Sequence, residues 1–212
     1  MILTHLQRSF RLFRIYDGDL ELCHCKFSAN IDLLNFADGR VQNDHLIMLD
    51  VWINHIVENS VAYNVWDDLD FSTLHALKNN VIQIPGDPDD YLLANVFFGK
   101  MQSILGETVT IQDIQFSTDS GPGIAFTISA ESLDLPSITD WVGEKHYWDQ
   151  PWWGRSDGST MDVIPSEDDN LLEKPDILID LREFLPTRTP ITNPAEIIKP
   201  NFHLKVINND TP

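Results

Sequence analysis

Positive charge is what this chain has least of. Its 212 residues include 14 lysines and arginines against 33 aspartates and glutamates, a formal net charge of −19. Such a chain repels phosphate backbones and anionic lipid, so direct nucleic-acid binding and membrane association are not expected. Three uses of the charge remain: a basic partner, solubility at high salt, or a surface that imitates nucleic acid. Long apolar runs are missing too. No stretch approaches the roughly 18 apolar residues of a membrane span, and the opening MILTHLQRSF has no apolar segment of signal-peptide length. Cysteine is scarce, with only Cys23 and Cys25. They flank one residue of an expected strand, and a disulfide between such same-face neighbours is strained. A reducing compartment is therefore expected: the cytoplasm, or host cytoplasm and virion if the source is viral.

Familiar ligand signatures are absent as well. Neither G-x-x-x-x-G-K-[ST] nor G-x-G-x-x-G occurs, and Gly121-Pro122-Gly123 sits in an expected hairpin turn with no basic residue nearby. Cys23-His24-Cys25 lacks the second pair that a structural zinc site needs, and the remaining histidines are scattered singly. The acidic groups Asp67-Asp68-Asp70, Asp87-Asp89-Asp90 and Glu167-Asp168-Asp169 lack the order of a calcium loop. No metal or cofactor is expected.

What is present is enough apolar material for one core, at 42% of residues. SFRLFRIY-DGD-LELCHCKF reads as a hairpin turning at Asp17-Gly18-Asp19. After a polar loop from Asn35 to Asn43, Asp44 is the expected helix cap. Leu49, Trp52, Ile53, Ile56 and Val57 then share one helical face. Residues 70–80 suggest a short helix, and VIQI after them a brief strand. Asp87-Pro88-Asp89-Asp90 opens a helix whose buried stripe is Leu93, Val96, Phe97, Met101 and Ile104, with Gly106 as its stop. A second hairpin spans 108–117 and 124–130.

The expected fold is therefore α+β: antiparallel hairpins packed with two to three helices, in the order hairpin, helices, hairpin, over residues 1–134. From residue 135 the composition changes, and nine of the twelve prolines lie between 136 and 212. Residues 135–212 read as an extended arm with a Trp-rich junction and little regular structure, apart from a short helix at 194–199 and strands near 176–181 and 202–207.

Gly154-Arg155-Ser156-Asp157-Gly158 matches G-x-S-x-G, with Asp176 or Asp180 and then His203 following in the order of a hydrolase triad. That mechanism needs a strand ending at the serine and a helix starting after it. Pro-Trp-Trp before and Asp-Gly-Ser-Thr after make a turn the better reading. The order of elements, with FSAN at 27–30 on the second strand, is loosely similar to the tunnelling fold of pterin-handling enzymes over about 120 residues. The zinc histidines that the resemblance implies are absent. Asn30-Ile31-Asp32 stands in their place, and QFSTDS shows no recognisable acidic residue for the third strand.

Four tryptophans, Trp141, Trp148, Trp152 and Trp153, crowd one stretch. They suit a core closure, an anchor for a partner, or a stacking platform. With Tyr147, Arg155, Phe184 and Phe202 they form the expected partner-binding set. The leading expectation is a non-enzymatic assembly protein, an oligomer or a subunit of a larger complex, for which a bacteriophage virion or tail component would fit. An acidic mimic that inhibits a nucleic-acid-binding protein is the first alternative. The second is an enzyme with a dispersed site on a tunnelling-fold-like domain, for which His24, His55, Asp50 and Glu58 are the candidates.

Overall fold

A computed structural model describes residues 2–34, 38–67, 80–175 and 179–187. The first hairpin is its largest feature. Strands β1 (Ile2–Tyr16) and β2 (Asp19–Leu33) pair antiparallel along their full length. They turn on two residues, Asp17 at φ 51° and Gly18 at φ 81°, the left-handed pair that suits a tight hairpin. Asp19 already belongs to β2. Phe10, Leu12, Cys23, Cys25, Phe27, Ala29 and Ile31 all lie on one face and are buried. His24 lies on the other, because side chains alternate along a strand.

Helix α1 (Gly39–Val51) starts earlier than its apolar stripe suggests. Its cap is Asp38, which accepts from the Arg40 amide at 2.8 Å, and not Asp44. The polar first turn is held by Gln42, whose side chain donates to the carbonyls of Leu34 and Thr108 at 3.0 Å each. The helix then widens into a π-turn, Trp52–Val57, closed by the Glu58 amide on the Ile53 carbonyl. Leu49, Trp52, Ile53, Ile56 and Val57 are all buried, as their spacing requires.

Two short strands follow, β3 (Val61–Asn64) and β4 (Val81–Ile84), the latter being the expected VIQI. The expected helix at 70–80 falls almost entirely outside the described residues. Helix α2 (Asp90–Leu105) is capped by Asp89, whose carboxylate accepts from the Leu92 amide at 2.7 Å, and ends at Gly106 at φ 63°. It begins two residues later than Asp87-Pro88 suggests because Asp90 is bonded inward. Its carboxylate accepts from the Thr118 amide at 2.9 Å, the Thr118 hydroxyl at 2.7 Å and Arg14 at 3.3 Å.

Strands β5 (Val109–Thr118) and β6 (Phe126–Ser129) complete a six-stranded sheet in the order β4-β3-β1-β2-β5-β6. The β4-β3-β1 side is parallel and the remainder antiparallel. The fold is α+β. One face of the sheet packs on α1 and α2, with Phe97 set against Phe10, Trp52 and Phe116 at ring separations of 5.4 to 5.8 Å. A second, smaller cluster on the opposite face joins Val61 and Tyr63 to Phe13, Ile15 and Val81.

Residues 135–162 lie on this same core. They form α3 (Ile138–Val142), a tight turn at Trp152–Gly154, and a segment running beside β4. There the Gln83 amide donates to the Thr160 carbonyl at 2.9 Å and the Thr160 hydroxyl to the Val81 carbonyl at 2.6 Å, covering the outer edge of β4. Beyond that only a turn at Leu181–Phe184 is regular among the described residues. The strand expected near 176–181 meets this turn at its end, and its residues 176–178 lie outside the described set. The helix at 194–199 and the strand at 202–207 also lie outside it.

Candidate functional site

The tryptophan segment is built around one carboxylate. Asp162 is buried and accepts from the Trp141 indole at 3.0 Å, the Trp152 backbone amide at 2.9 Å and the Arg155 guanidinium at 2.5 Å. Its own amide donates to the Gln83 side chain, and the Trp152 indole donates to the Gln83 carbonyl at 3.0 Å. Trp152 and Trp153 meet edge to face at 5.6 Å, and Trp153 meets Trp141 at 5.0 Å. Trp148 lies beneath the Arg155 guanidinium, 4.3 Å from its ring centre. All four rings are buried inside this chain, so they close its core. As the chain stands, no indole of the four presents a face to a partner. Tyr147 and Arg155 are half-buried beside them, Tyr147 edge-on to Trp148 and Arg155 engaged with Asp162 and Ser159. Phe184 is exposed and stacks on His55, and Phe202 lies outside the described residues.

Lys100 locks the segment from below. On α2 it lies one turn from Val96, Phe97 and Ile104, on the buried stripe, and is completely inaccessible. Its ammonium donates to the carbonyls of Trp152 at 2.9 Å and Arg155 at 2.8 Å, and reaches Asp157 at 3.5 Å. Burial pushes its pKa down to about 7, against the opposing pull of Asp157. A lysine poised near neutrality is a property of catalytic amines. This one is enclosed by the groups it holds together, which makes it a clasp.

Beside the clasp a cleft of about 620 Å³ is lined by His45, Ser103, Ser156, Asp157, Asp180 and Arg182 among others. Several of its polar groups already have partners within the chain. Asp180 and Arg182 form a two-point ion pair, and the His45 ring contacts the Thr108 hydroxyl at 2.9 Å. Ser156 sits between turns, with no helix starting after it, so the elbow geometry of a hydrolase is not formed. The dispersed candidates do not converge on one pocket. His24 is on the face opposite α1 and α2, bonded to Asp119 at 2.7 Å, Asp50 pairs with Arg8 beside α1, and Glu58 pairs with Arg11 at the edge of β1. Cys23 and Cys25 are free thiols in the core, and burial pushes both pKa values up. Among the described residues, no three histidine, cysteine or acidic side chains gather as a metal site.

The feature most open to a partner is backbone. On the side away from β2, strand β1 pairs with β3 only at Phe13 and Arg14. The Phe13 amide donates to the Ser60 carbonyl there, so every odd residue of β1 turns its backbone groups the same way. At Arg11 these are taken by the Glu58 carboxylate and the Asn59 amide. At Ser9, Gln7 and His5, all exposed, no strand among the described residues pairs with them, although the Gln7 carbonyl accepts from the Arg8 guanidinium at 2.9 Å. Sequence reading missed this edge.

No protein-family model matches the chain, and no curated protein matches it. A crystal structure of the uncharacterized protein WS1659 from Wolinella succinogenes aligns with a TM-score of 0.40 at 10% identity, covering 61% of this chain and 99% of that one. An overlap at that level carries no argument about this chain.

Proposed function

We propose that this chain is a non-enzymatic assembly protein that docks on sister copies or a larger complex through strand addition at β1. The observation that carries the reading is the stretch of β1 that no strand among the described residues pairs, where a side chain alone, that of Arg8, reaches the Gln7 carbonyl. A row of unpaired amide and carbonyl groups is a template for another strand, and proteins usually blunt or cover such an edge. Here the outer edge of β4 is covered by residues 158–162, whereas β1 at Ser9, Gln7 and His5 stays exposed. The Trp segment acts as the closure of the core that keeps the sheet rigid behind that edge.

Proline at position 7 gives a direct test. The Gln7 amide faces the open side, so Gln7→Pro removes an edge donor while leaving the β1–β2 bonds intact. Wild-type protein is expected to sediment above its monomer mass of 24.2 kDa, or to co-purify from its source with identified structural proteins. Gln7→Pro is expected to lose that behaviour while keeping wild-type tryptophan fluorescence. A wild type that stays monomeric and joins no complex refutes the reading. Binding to a nucleic-acid enzyme that survives in Gln7→Pro and collapses with added salt supports the acidic mimic instead.

A further inference from the structure

The chain carries a segment that suits this edge. Residues 202–208, Phe-His-Leu-Lys-Val-Ile-Asn, alternate apolar and polar side chains through Lys205 and match the length of the unpaired stretch of β1, residues 3–9. With Phe202, Leu204 and Val206 on one side, such a strand would continue the helix-facing row that Leu6 and Phe10 already form. His203 and Lys205 would fall on the side of His5 and Gln7, the face opposite α1 and α2.

Charge points the same way. Residues 188–212 hold three basic and two acidic side chains, a net of +1, which leaves −20 on residues 1–187. Two bodies of −20 repel one another. Any dimer brings two such bodies together, and a tail of net +1 laid on its partner offsets a small part of that repulsion, which a plain β1-to-β1 dimer does not. The exit of the tail is also favourable. Phe184 stacks on His55 with ring centres 6.4 Å apart, and three residues beyond His55, Glu58 caps the Arg11 amide on β1. The described chain therefore ends, at Thr187, three residues beyond a ring stacked on the segment that leads to that edge. Two copies brought together about a two-fold axis would place each tail against the other's edge.

Resting on the assembly reading above, we infer that residues 202–208 of one copy add as a strand to the open edge of β1 in a second copy, reciprocally. The occupant is this chain's own C-terminal segment acting between molecules.

Complementation of two full-length variants tests it. Gln7→Pro has a blocked edge and an intact tail. Val206→Pro has an intact edge and a tail unable to form a regular strand. Each alone is expected to lose the wild-type assembly, as read by sedimentation velocity. An equimolar mixture is expected to form a one-to-one pair, weaker than wild type because it has one junction in place of two. If Gln7→Pro loses assembly and Val206→Pro keeps it, the edge docks something else: this inference fails and the assembly reading survives. If both variants still assemble, both fail. If wild type is monomeric and the mixture stays unpaired, exchange between copies is refuted.

Discussion

Replacing Lys100 with methionine isolates the energetics of the clasp under the tryptophan segment. In the unfolded chain the lysine holds its proton up to about pH 10.5, whereas in the fold burial brings the pKa to about 7. Between those values the unfolded state binds more protons, so the linkage term makes stability rise with pH. At 1.36 kcal/mol per pH unit the window gives an upper limit of about 5 kcal/mol. Methionine fills a similar volume and has no proton to lose, so the variant lacks this slope. It also leaves the Arg155 carbonyl without its donor, at about 1–3 kcal/mol, while the Trp152 carbonyl keeps the Arg155 amide at 3.3 Å and loses less. Near pH 6 the relieved charge burial offsets much of that loss, and the two proteins should be close in stability. By pH 9 about two pH units of the window have been crossed, so Lys100→Met should have lost about 3 kcal/mol against wild type relative to pH 6, and the loss stands alone only above about pH 10.5. Urea unfolding followed by tryptophan fluorescence at intervals from pH 6 to 9 measures the difference, and other titrating groups cancel between the two proteins. Parallel stability curves would refute the reasoning, because they would mean that the ammonium keeps its ordinary pKa inside the fold.

Trp152→Ala should destabilise the chain by about 3–5 kcal/mol in the same unfolding assay, since the ring is inaccessible and its indole is bonded to Gln83, whereas Phe184→Ala should cost less than about 1 kcal/mol. Asp90→Ala should cost about 2–4 kcal/mol, because it leaves the Thr118 amide and hydroxyl without their acceptor and removes one of the two carboxylates on Arg14, the other being Glu21 at 2.9 Å. Gly121→Ala should be destabilising although it adds one methyl group at a surface turn: its Cβ would lie 2.0 Å from the Asp90 carboxylate, and a melting temperature equal to wild type would show that the turn is not set as described. Removing the cap of α1 with Asp38→Ala should cost about 1 kcal/mol, and amide hydrogen exchange should be faster in its first turn than in the Trp52–Val57 turn.

The elements legible in the sequence were those whose pattern is local. The hairpin around Asp17-Gly18 and the stripe from Leu49 to Val57 each repeat with one period, and period is what separates strand from helix. Helix starts were less legible because polar side chains with distant partners decide them. Asp38 begins α1 with Gln42 reaching Leu34 and Thr108, and Asp90 turns inward to Thr118 where composition suggests a solvated acid. Lys100 left a trace that sequence reading passed over, since a lysine four residues from both Val96 and Ile104 stands on the buried stripe. Asp162 left none. Its three donors come from residues 10 to 21 positions away or from across a turn, and a carboxylate in a proline-rich stretch reads as a loop charge until the fold brings them together.

The open edge of β1 was invisible for a deeper reason. Alternation tells which way side chains point, and an edge is a property of backbone groups, which every residue but proline carries alike. Whether β1 is central or exposed depends on where β3 lies, and β3 meets it at only two residues. A fifteen-residue strand beside a four-residue neighbour is left, among the described residues, without a strand partner over most of its length on that side. The mismatch in strand length, together with a basic alternating segment at the far end of an acidic chain, is the physical content of the assembly proposal.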